Sequence, residues 1–399
     1  MWKRFVADAV GGVGFMFALA VVPVLGLVGA AVDYSRASQA HTHLQKAVDA
    51  AALAAGKVAL EQNRRDVDKN ALDVFNGTFP RSEGVTVTKF TVTAAGDILT
   101  VAVDAQLPTM FGRIIGKTVT DLSATASVPT STMALEVVLV LDNTGSMAAL
   151  GKMTALKDAA KNLIDTLQGA STGAYASIGL VAFNAQVNVG AAYRDATWLS
   201  FTAASTPLPL KTDKAAWTGC VADRDDPYDI RDPITTTAET LYPGVVCKYP
   251  GLIPIKPLSR DFAGLKTAID AMNPTGNTNT AIGLAWGMAL LTPSAPLSTA
   301  QPPSSKLQKT IVFLTDGINT ENKLSTDPLV IDGRTDRVCE EIRKLNINLY
   351  TIRVIEGNET LLRNCATTPG MYHSVTSASE LKDVFKKIAG EIATLRLSY

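Results

Sequence analysis

Residues 136–146 read EVVLVLDNTGS, an uninterrupted apolar run that ends in oxygen-bearing side chains. A short run of this kind, without polar alternation, is typical of a strand that is buried on both faces of a parallel sheet. Residues 309–316, KTIVFLTD, repeat the pattern and also end in an aspartate. Because ligands of open α/β sheets bind outside the carboxyl ends of the strands, we expect both ends to contribute to one site.

The candidate site has five members, and all of them offer oxygen. They are Asp142, Thr144, Ser146, Thr278 and Asp316. Taken singly, Thr278 fits a helix cap and Asp316 fits a turn. Taken together, two carboxylates and three hydroxyls near strand ends are the donors that a hard divalent cation prefers. The sequence therefore predicts that the chain binds Mg²⁺ or Mn²⁺ there.

From residue 135 onward, strand patterns alternate with helix patterns. The predicted strands cover 136–141, 177–183, 310–314 and 347–354, and the predicted helices cover 153–167, 262–272, 281–291, 335–345 and 379–395. Such alternation predicts an α/β domain with a doubly wound, mostly parallel sheet of Rossmann type over 135–397. An insertion at about 189–257, rich in Pro, Thr and Asp, interrupts it. Loops of this length in compact domains are usually functional or disordered.

The N-terminus carries an uncharged apolar stretch, residues 9–32, between Asp8 and Asp33. It is long enough to cross a bilayer as a helix. A secretory signal has a shorter apolar core, and a buried soluble helix is rarely apolar on every side, so we expect residues 1–33 to form a short cytoplasmic tip and a single retained transmembrane helix. Lys3 and Arg4 precede the stretch, and the positive-inside rule then puts the N-terminus in the cytoplasm and the bulk outside.

Between this anchor and the α/β domain, two patterns predict a small α+β module over residues 34–130. From Tyr34 to about Lys69, alanine and apolar positions recur at helical spacing, as in a stalk, a helical hairpin or a packing surface for a similar partner. Residues 84–129 alternate as strands do, with a turn at 94–97, and residues 129–132 read as a linker.

Four cysteines lie in the exported part of the chain, and none of them forms a CxxC pair. With three histidines in the whole chain, a zinc site is disfavoured. An even number of cysteines in an exported domain favours disulfides, for which three connectivities are allowed. We expect neighbours in the sequence to pair, Cys220 with Cys247 and Cys339 with Cys365, so that the first bond holds the insertion.

The overall charge argues against nucleic acid as a partner. The 37 Lys and Arg residues balance 37 Asp and Glu residues, for a formal net charge of +0. Binding to phosphates requires a basic excess, and the short basic runs, such as residues 386–387, read as solvated helix faces.

The motifs around the candidate site resemble those of von Willebrand factor A-type domains. Residues 142–146, DNTGS, resemble the family's DxSxS motif, with threonine where serine is more common. Residues 276–279, GNTN, and 315–317, TDG, resemble the segments that carry its second-loop threonine and third-loop aspartate. The resemblance covers residue 135 to about 397, with all three motifs in order. It implies a von Willebrand factor A-like fold with a metal-ion-dependent adhesion site.

In that family, such a site accepts a carboxylate from a protein partner as a metal ligand. The resemblance assigns Thr144 and Ser146 as direct ligands and Thr278 as a direct or water-mediated ligand. It assigns Asp142 and Asp316 as mainly water-mediated ligands. Neutral hydroxyl ligands leave a metal electrophilic, which suits the capture of an acidic side chain.

An enzymatic interpretation starts from Asp142. Residues 141–146 superficially resemble the phosphorylated aspartate loop of haloacid-dehalogenase-type phosphatases and P-type ATPases, which would make Asp142 a nucleophile. The phosphatases usually need a second aspartate two residues later, where this chain has Thr144, and the ATPases need many membrane spans. No Walker A loop is present in the sequence, and no histidine lies near a candidate nucleophile serine, so we expect no catalytic residues and no organic cofactor.

The N-terminal region resembles TadE/TadG-like proteins of bacterial tight-adherence (Flp) pilus assembly. The resemblance rests on the glycines of 11–14, the apolar span, VDYSR at 32–36 and LQKAVDAAALA at 44–54, with further similarity at 217–221 and 395–397. The chain departs from processed pilin-like members, because no glycine is followed by a glutamate at the fifth mature position. We therefore expect no leader-peptidase cleavage.

Members of the TadG type join such an anchor to an exported A-type domain. The resemblance therefore implies a single-pass protein of the bacterial inner membrane, with its bulk in the periplasm. It would act in the assembly or surface anchoring of a Tad pilus, with other pilus-assembly or envelope proteins as partners. A general envelope adhesion or organising protein without a link to pili is the alternative.

Overall fold

The computed structural model describes residues 12–60, 66–80, 84–95, 98–129, 134–169, 176–203, 206–231 and 237–395. The chain divides into two compact units, Met1–Ser131 and Thr132–Tyr399. Lys3, Arg4 and the linker at 130–132 lie outside the described residues, as do Gly11 and residues 396–397.

The first unit combines two helices with a three-stranded sheet. Its elements are α1 (Gly12–Leu60), α2 (Val67–Thr78), β1 (Thr86–Ala95), β2 (Ile98–Pro108) and β3 (Val119–Pro129). The sheet is antiparallel in the order β1-β2-β3, and it is the β-rich part that the alternating pattern predicts. Part of the predicted turn, residues 96–97, lies outside the described residues.

An alanine-rich face holds this unit together. Leu44, Val48 and Ala51 are fully buried on α1 and join Val101 of β2 in one apolar cluster. Gly56 lets the sheet approach the helix, because a Cβ added there would lie 2.8 Å from a methyl carbon of Val128. The helical pattern from Tyr34 to about Lys69 is carried by two helices, since α1 ends at Leu60 and α2 begins at Val67, with residues 61–65 outside the described residues. Of the options left open by the sequence, the described residues show two helices sharing one core.

The N-terminal half of α1 exposes its apolar side chains. Leu19, Leu25 and Leu27 are between 63% and 73% exposed. In the described part of the chain, α1 is the one helix that is long and apolar enough to cross a membrane. This exposure is expected of a helix that lipid surrounds.

The second unit is built on one large sheet. Its strands are β4 (Ala134–Asp142), β5 (Ala176–Phe183), β6 (Val187–Asn188), β8 (Cys220–Val221), β10 (Lys256–Ser259), β11 (Leu307–Thr315), β12 (Asn348–Val354) and β13 (Tyr372–Val375). The strand order is β13-β12-β11-β4-β5-β6-β8, and β10 also pairs with β5. The pairs from β13 to β5 are parallel, while β6, β8 and β10 are antiparallel additions at one edge.

Helices cover both faces of this sheet, as the doubly wound fold class predicts. They are α3 (Lys152–Gly169), α4 (Phe262–Asp270), α5 (Thr280–Leu291), α6 (Pro328–Lys344), α7 (Glu359–Cys365) and α8 (Leu381–Leu395). Val138 and Val140 of β4 face the cluster that contains α5, α6 and α7. Val137 and Leu139 face the cluster that contains α3, α4 and α8. Apolar burial on both faces explains why β4 lacks polar alternation.

Some boundaries differ from the prediction for identifiable reasons. Helix α6 begins at Pro328, seven residues before the predicted start, because the Asp327 carboxylate caps it by accepting a hydrogen bond from the Leu329 N–H at 2.9 Å. Strand β13 and helix α7 were not predicted from the sequence, since both are short and only partly apolar.

The insertion is an ordered extension of the sheet where it is described, at 189–203, 206–231 and 237–257. Strand β6 leads into it, and it contains β8 and a separate parallel pair, β7 (Leu199–Ser200) with β9 (Tyr242–Pro243). Both expected disulfides are present: Cys220 is bonded to Cys247, and Cys339 to Cys365. The first joins β8 to the segment that follows β9, so it fixes the insertion at the sheet edge.

Candidate metal centre

Three loops meet at the carboxyl ends of β4 and β11. The loop after β4 accepts a hydrogen bond at the Asn143 carbonyl from the Thr275 N–H, at 2.7 Å, and the Gly145 N–H donates to the Gly276 carbonyl at 2.9 Å. The loop after β11 is tied to the same middle segment, because the Thr320 N–H donates to the Thr278 carbonyl at 2.9 Å. This backbone network brings residues that are far apart in the sequence into one small volume.

The side-chain oxygens of the first and third loops form a continuous chain of contacts. Thr144 Oγ1 lies 2.9 Å from Ser146 Oγ, and Ser146 Oγ donates to Asp316 Oδ1 at 2.6 Å. Thr278 approaches from the middle loop, since a Cβ added to Gly317 would lie 2.9 Å from Thr278 Oγ1 and 3.7 Å from Ser146 Oγ. The structure thus brings together the predicted hydroxyls and Asp316.

Asp142 occupies a different position in the cluster. Its carboxylate is fully buried and accepts hydrogen bonds from the Thr144 N–H at 2.8 Å and from Thr315 Oγ1 at 2.6 Å. Burial, and then the nearby Asp316 charge, raise the pKa of Asp142 to about 6. A carboxylate held in this way organises the first loop, and its remaining lone pairs can accept from a metal-bound water.

The donor set fits a small divalent cation. Neighbouring ligands of an octahedral metal with bonds of about 2.1 Å are separated by roughly 3 Å, close to the spacing of the oxygens here. Ser146 is exposed while Thr144, Thr278 and Asp316 are buried, so the cluster is open on one side. No group of three or more His, Cys, Asp or Glu side chains that could hold a metal occurs among the described residues. A metal here would rely on hydroxyls and two carboxylates, which is the set that the sequence predicts.

Lys152 also belongs to this cluster, and the sequence interpretation missed it. It is the first residue of α3, is 3% exposed, and pairs with Asp316 Oδ2. A buried cation at a helix N-terminus opposes the helix dipole, so its placement needs a compensating charge, and Asp316 supplies it. The sequence did hold a signal for it. Lys152, six residues after Ser146, occupies a position at which the helical periodicity of α3 places a buried side chain.

The insertion is braced against the middle loop. Asn279, the N-cap of α5, donates from Nδ2 to both carboxylate oxygens of Asp223 at 3.0 Å. Asp223 is 7% exposed, and burial raises its pKa. Because Asn279 directly follows Thr278, a carboxylate from the insertion helps to fix the position of a candidate ligand.

A groove borders the candidate site on the side of the insertion. It has a volume of about 530 Å³ and is lined by Pro207, Pro209, Leu210, Val246, Cys247, Lys248, Glu321, Asn322, Lys323, Leu324, Ser325 and Thr326. Glu321 links its wall to the middle loop, since it accepts hydrogen bonds from Asn277 Nδ2 and from the Tyr249 hydroxyl, both at 2.5 Å. The groove therefore combines apolar walls with charged groups beside the oxygen cluster.

Comparison with protein families identifies both parts of the chain. Residues 11–58 match the model of Flp pilus-assembly TadE/G-like domains, and residues 255–387 match that of von Willebrand factor type A domains. This is the domain combination of a TadG-type protein. The second match includes Thr278 and Asp316 but begins after the first motif. The structure places Asp142 at the end of β4, which pairs with β11, and Thr144 and Ser146 in the loop that follows β4.

Solved structures with similar folds are remote in sequence. The pilus adhesin SpaC from Lactobacillus rhamnosus GG is 13% identical with a TM-score of 0.43, over 79% of this chain and 35% of that chain. The von Willebrand factor domain of the type V pili tip protein Mfa5 from Porphyromonas gingivalis is 13% identical with a TM-score of 0.42, over 67% of this chain and 97% of that one. The alignment thus spans about a third of SpaC.

A third structure is proximal thread matrix protein 1 from the mussel byssus, whose MIDAS motif is occupied by zinc. It is 16% identical with a TM-score of 0.36, over 65% of this chain and 48% of that chain. No curated protein matches the sequence. Von Willebrand factor type A domains commonly bind a divalent metal at such a motif, and the N-terminal match with its apolar helix indicates a single-pass membrane protein.

Proposed function

We propose that the chain is a membrane-anchored, metal-dependent protein-binding module that acts in the assembly or surface anchoring of a Tad (Flp) pilus. The observation that carries the binding function is the convergence of three side-chain oxygens at the carboxyl ends of β4 and β11. Ser146 Oγ lies 2.9 Å from Thr144 Oγ1 and 2.6 Å from Asp316 Oδ1. The TadE/G-like N-terminus supports the link to pili.

The proposed metal is Mg²⁺ or Mn²⁺, held by Thr144, Ser146 and Thr278, with Asp142 and Asp316 acting mainly through water. A bound cation supplies an electrophilic centre for a carboxylate from the partner. Ser146 lies on the exposed side of the cluster, which is where such a carboxylate can enter. The groove beside Glu321 then offers apolar surface to the residues that flank it.

A non-enzymatic role is proposed for the same cluster. Among the described residues that surround Asp142, Thr144 stands two positions later, where the phosphatases usually have an acid, and Lys152 is engaged with Asp316. Asp316 is the carboxylate whose charge acts on Asp142, and its pairing with Lys152 leaves neither group placed as a general acid or base for Asp142. Phosphoaspartate formation at Asp142 in the presence of a phosphoryl donor would contradict this assignment.

The proposed location is the bacterial inner membrane, with residues 9–32 as the span, the N-terminus in the cytoplasm and both units in the periplasm. Two disulfides in the second unit are consistent with an oxidising compartment. The alternative is an envelope-organising adhesion protein with no link to pili. Loss of piliation after deletion of the gene, restored by the wild-type chain, distinguishes the two.

The decisive experiment is a titration of Mg²⁺ and Mn²⁺ into residues 132–399, which contain their own two apolar clusters, while thermal stability is followed. We expect a metal-dependent rise in melting temperature, because a ligand of the native state alone stabilises it by mass action. The Asp142→Ala variant should fold but lose this rise. Asp158→Ala is the matched control, since Asp158 is 63% exposed on α3.

Two results would contradict the proposal. A metal response that survives Asp142→Ala would place the cation elsewhere, and the absence of any response in wild type would remove the metal-dependent function. The link to pili would then depend on the N-terminal match alone.

A further inference from the structure

A single carboxylate fastens the β2–β3 loop, residues 109–118, to α1. Asp33 Oδ1 accepts a hydrogen bond from the Met110 N–H at 2.8 Å, and Asp33 Oδ2 accepts from the Phe111 N–H at 3.0 Å and the Gly112 N–H at 2.8 Å. Three backbone donors on one ionised side chain make a strong attachment. The loop is thereby held beside the residue at which the apolar stretch ends.

The loop is also ordered internally. The Thr109 N–H donates to the Thr118 carbonyl at 3.0 Å, and the Lys117 N–H donates to the Gly112 carbonyl at 2.9 Å. These bonds close the loop at its base and across its middle. Its side chains are therefore presented in a defined arrangement.

Phe111 sets the height of the loop along the helix. A Cβ added to Gly29 would lie 2.7 Å from Phe111 Cβ, so the aromatic side chain packs directly on the helix backbone there. Gly29 lies inside the apolar stretch of residues 9–32, four residues before Asp33. At 1.5 Å per residue this places Phe111 about 6 Å below the end of the stretch. A helix that crosses the bilayer with this stretch must bring the loop to the lipid interface.

The exposed side chains of the loop have the composition of an interfacial segment. Met110 is 62% exposed, Phe111 43% and Ile114 83%, and the side chains of Arg113 and Lys117 are also exposed. Apolar side chains with adjacent cations favour the boundary between acyl chains and anionic headgroups. The helix that carries Asp33 also exposes apolar side chains before it, among them Leu25, Val28 and Val32.

We propose that the β2–β3 loop is a second membrane contact, in which Met110, Phe111 and Ile114 enter the bilayer interface and Arg113 and Lys117 bind lipid phosphates. This goes beyond the binding function proposed for the second unit, and it rests on α1 crossing the bilayer. The occupant of this surface is a phospholipid bilayer rather than a protein, because the loop lies at the level of a helix surface that lipid must already cover. Contact at two points restricts rotation of α1 about its own axis.

The test is tryptophan quenching by brominated phospholipids in the full chain, reconstituted in vesicles of zwitterionic and anionic lipid. The parent carries Trp2→Phe, so that every remaining native tryptophan is one buried in the second unit. These are Trp198, Trp217 and Trp286. Ile114→Trp reports on the loop. Leu27→Trp, at a position 73% exposed on α1, reports on the span.

The matched control is Ile98→Trp. Ile98 is 53% exposed and lies at the opposite end of β2 from the loop. At about 3.3 Å per residue, a strand of this length separates the two positions by roughly 30 Å. We expect brominated lipid to quench the added emission of Leu27→Trp and Ile114→Trp and to leave that of Ile98→Trp unchanged. Arg113→Glu with Lys117→Glu should reduce the quenching of Ile114→Trp in anionic vesicles.

Other outcomes overturn the proposal in distinguishable ways. Quenching of Leu27→Trp without quenching of Ile114→Trp shows that the helix crosses the bilayer while the loop stays clear of it. A blue-shifted Ile114→Trp emission that bromine does not quench shows that protein covers the loop instead. If brominated lipid does not quench Leu27→Trp, both the transmembrane assignment of α1 and this inference are wrong. The metal titration of the second unit is unaffected by that result.

Discussion

Lys152 is the residue that most changes how the candidate metal centre is understood. Its ammonium group is buried and pairs with Asp316, one of the two carboxylates that a divalent cation would use. The pair neutralises part of the negative charge that Asp142 and Asp316 would otherwise concentrate in a buried volume. A cation that needs the same carboxylate therefore competes with a cation that belongs to the protein.

Lys152→Met should make the protein more dependent on metal. Removing one partner of a buried ion pair typically costs about 3–5 kcal/mol, because the other charge remains uncompensated. We expect a lower melting temperature without metal, tighter binding of Mg²⁺ or Mn²⁺ by calorimetry, and a larger metal-induced rise in melting temperature than in wild type. Lys157→Met is the control, because Lys157 is half-buried on the same helix and its ammonium group donates to the Asp270 carbonyl instead of to Asp316. Unchanged or weaker metal binding would show that Lys152 and the metal do not compete.

At the level of elements, the insertion supports the metal loops as well as bordering them. Asp223 of the insertion binds Asn279, the N-cap of α5, and Asp229 of the insertion pairs with Arg334 in the first half of α6. The insertion is therefore attached to two core helices. The Cys220–Cys247 bond closes the same segment. Movement of the insertion would therefore displace the loop that carries Thr278.

Asp223→Ala should weaken metal binding although Asp223 is no proposed ligand. The variant leaves the Asn279 amide without its buried acceptor, which frees the middle loop and moves Thr278. We expect a higher metal dissociation constant and faster amide exchange at the N-terminus of α5. Asp195→Ala serves as the comparison, since the Asp195 side chain lies on the same insertion and is 87% exposed. Equal metal affinity in wild type and Asp223→Ala would separate the insertion from the site.

The sequence predicts an element well when the residues of that element themselves carry the pattern that forms it. The observed ends of strands β4 and β11 lie within three residues of the predicted ends. Both strands are buried on both faces, which leaves few polar positions within the apolar runs, so the pattern is unambiguous. The two-residue strands β6 and β8 carry no pattern of their own and exist through pairing at the edge of β5. Lys152 was missed for a related reason, since its partner lies far away in the sequence.

At the scale of the whole molecule, each unit buries its own core. Leu44 and Val101 belong to the cluster of the first unit, while Val138 and Val137 belong to the two clusters of the second. Both disulfides and all five candidate metal ligands lie in the second unit. Metal and redox conditions should therefore act on one unit and spare the other.

Calorimetry of the full chain in detergent tests this separation. We expect two unfolding transitions, of which one shifts upward with Mg²⁺ and downward with a reductant, while the other stays in place. The reductive shift follows from the loss of cross-links, each of which contributes about 3 kcal/mol in the chain-entropy model. A single transition that moves as a whole would show that the two units unfold together.

The edge of β5 has an evolutionary consequence. The chain leaves β5 through β6 and returns to it through β10, and both strands pair with the side of β5 that faces away from β4. Between them, β8 stays in the sheet by pairing with β6. The exit and the return are thus neighbours, so the polypeptide between them can be lengthened, shortened or exchanged without altering the register of β4 and β11. Insertions and deletions between β6 and β10 that leave Asp223 on Asn279 should therefore change the surface offered to a partner while keeping the cation chemistry beside it.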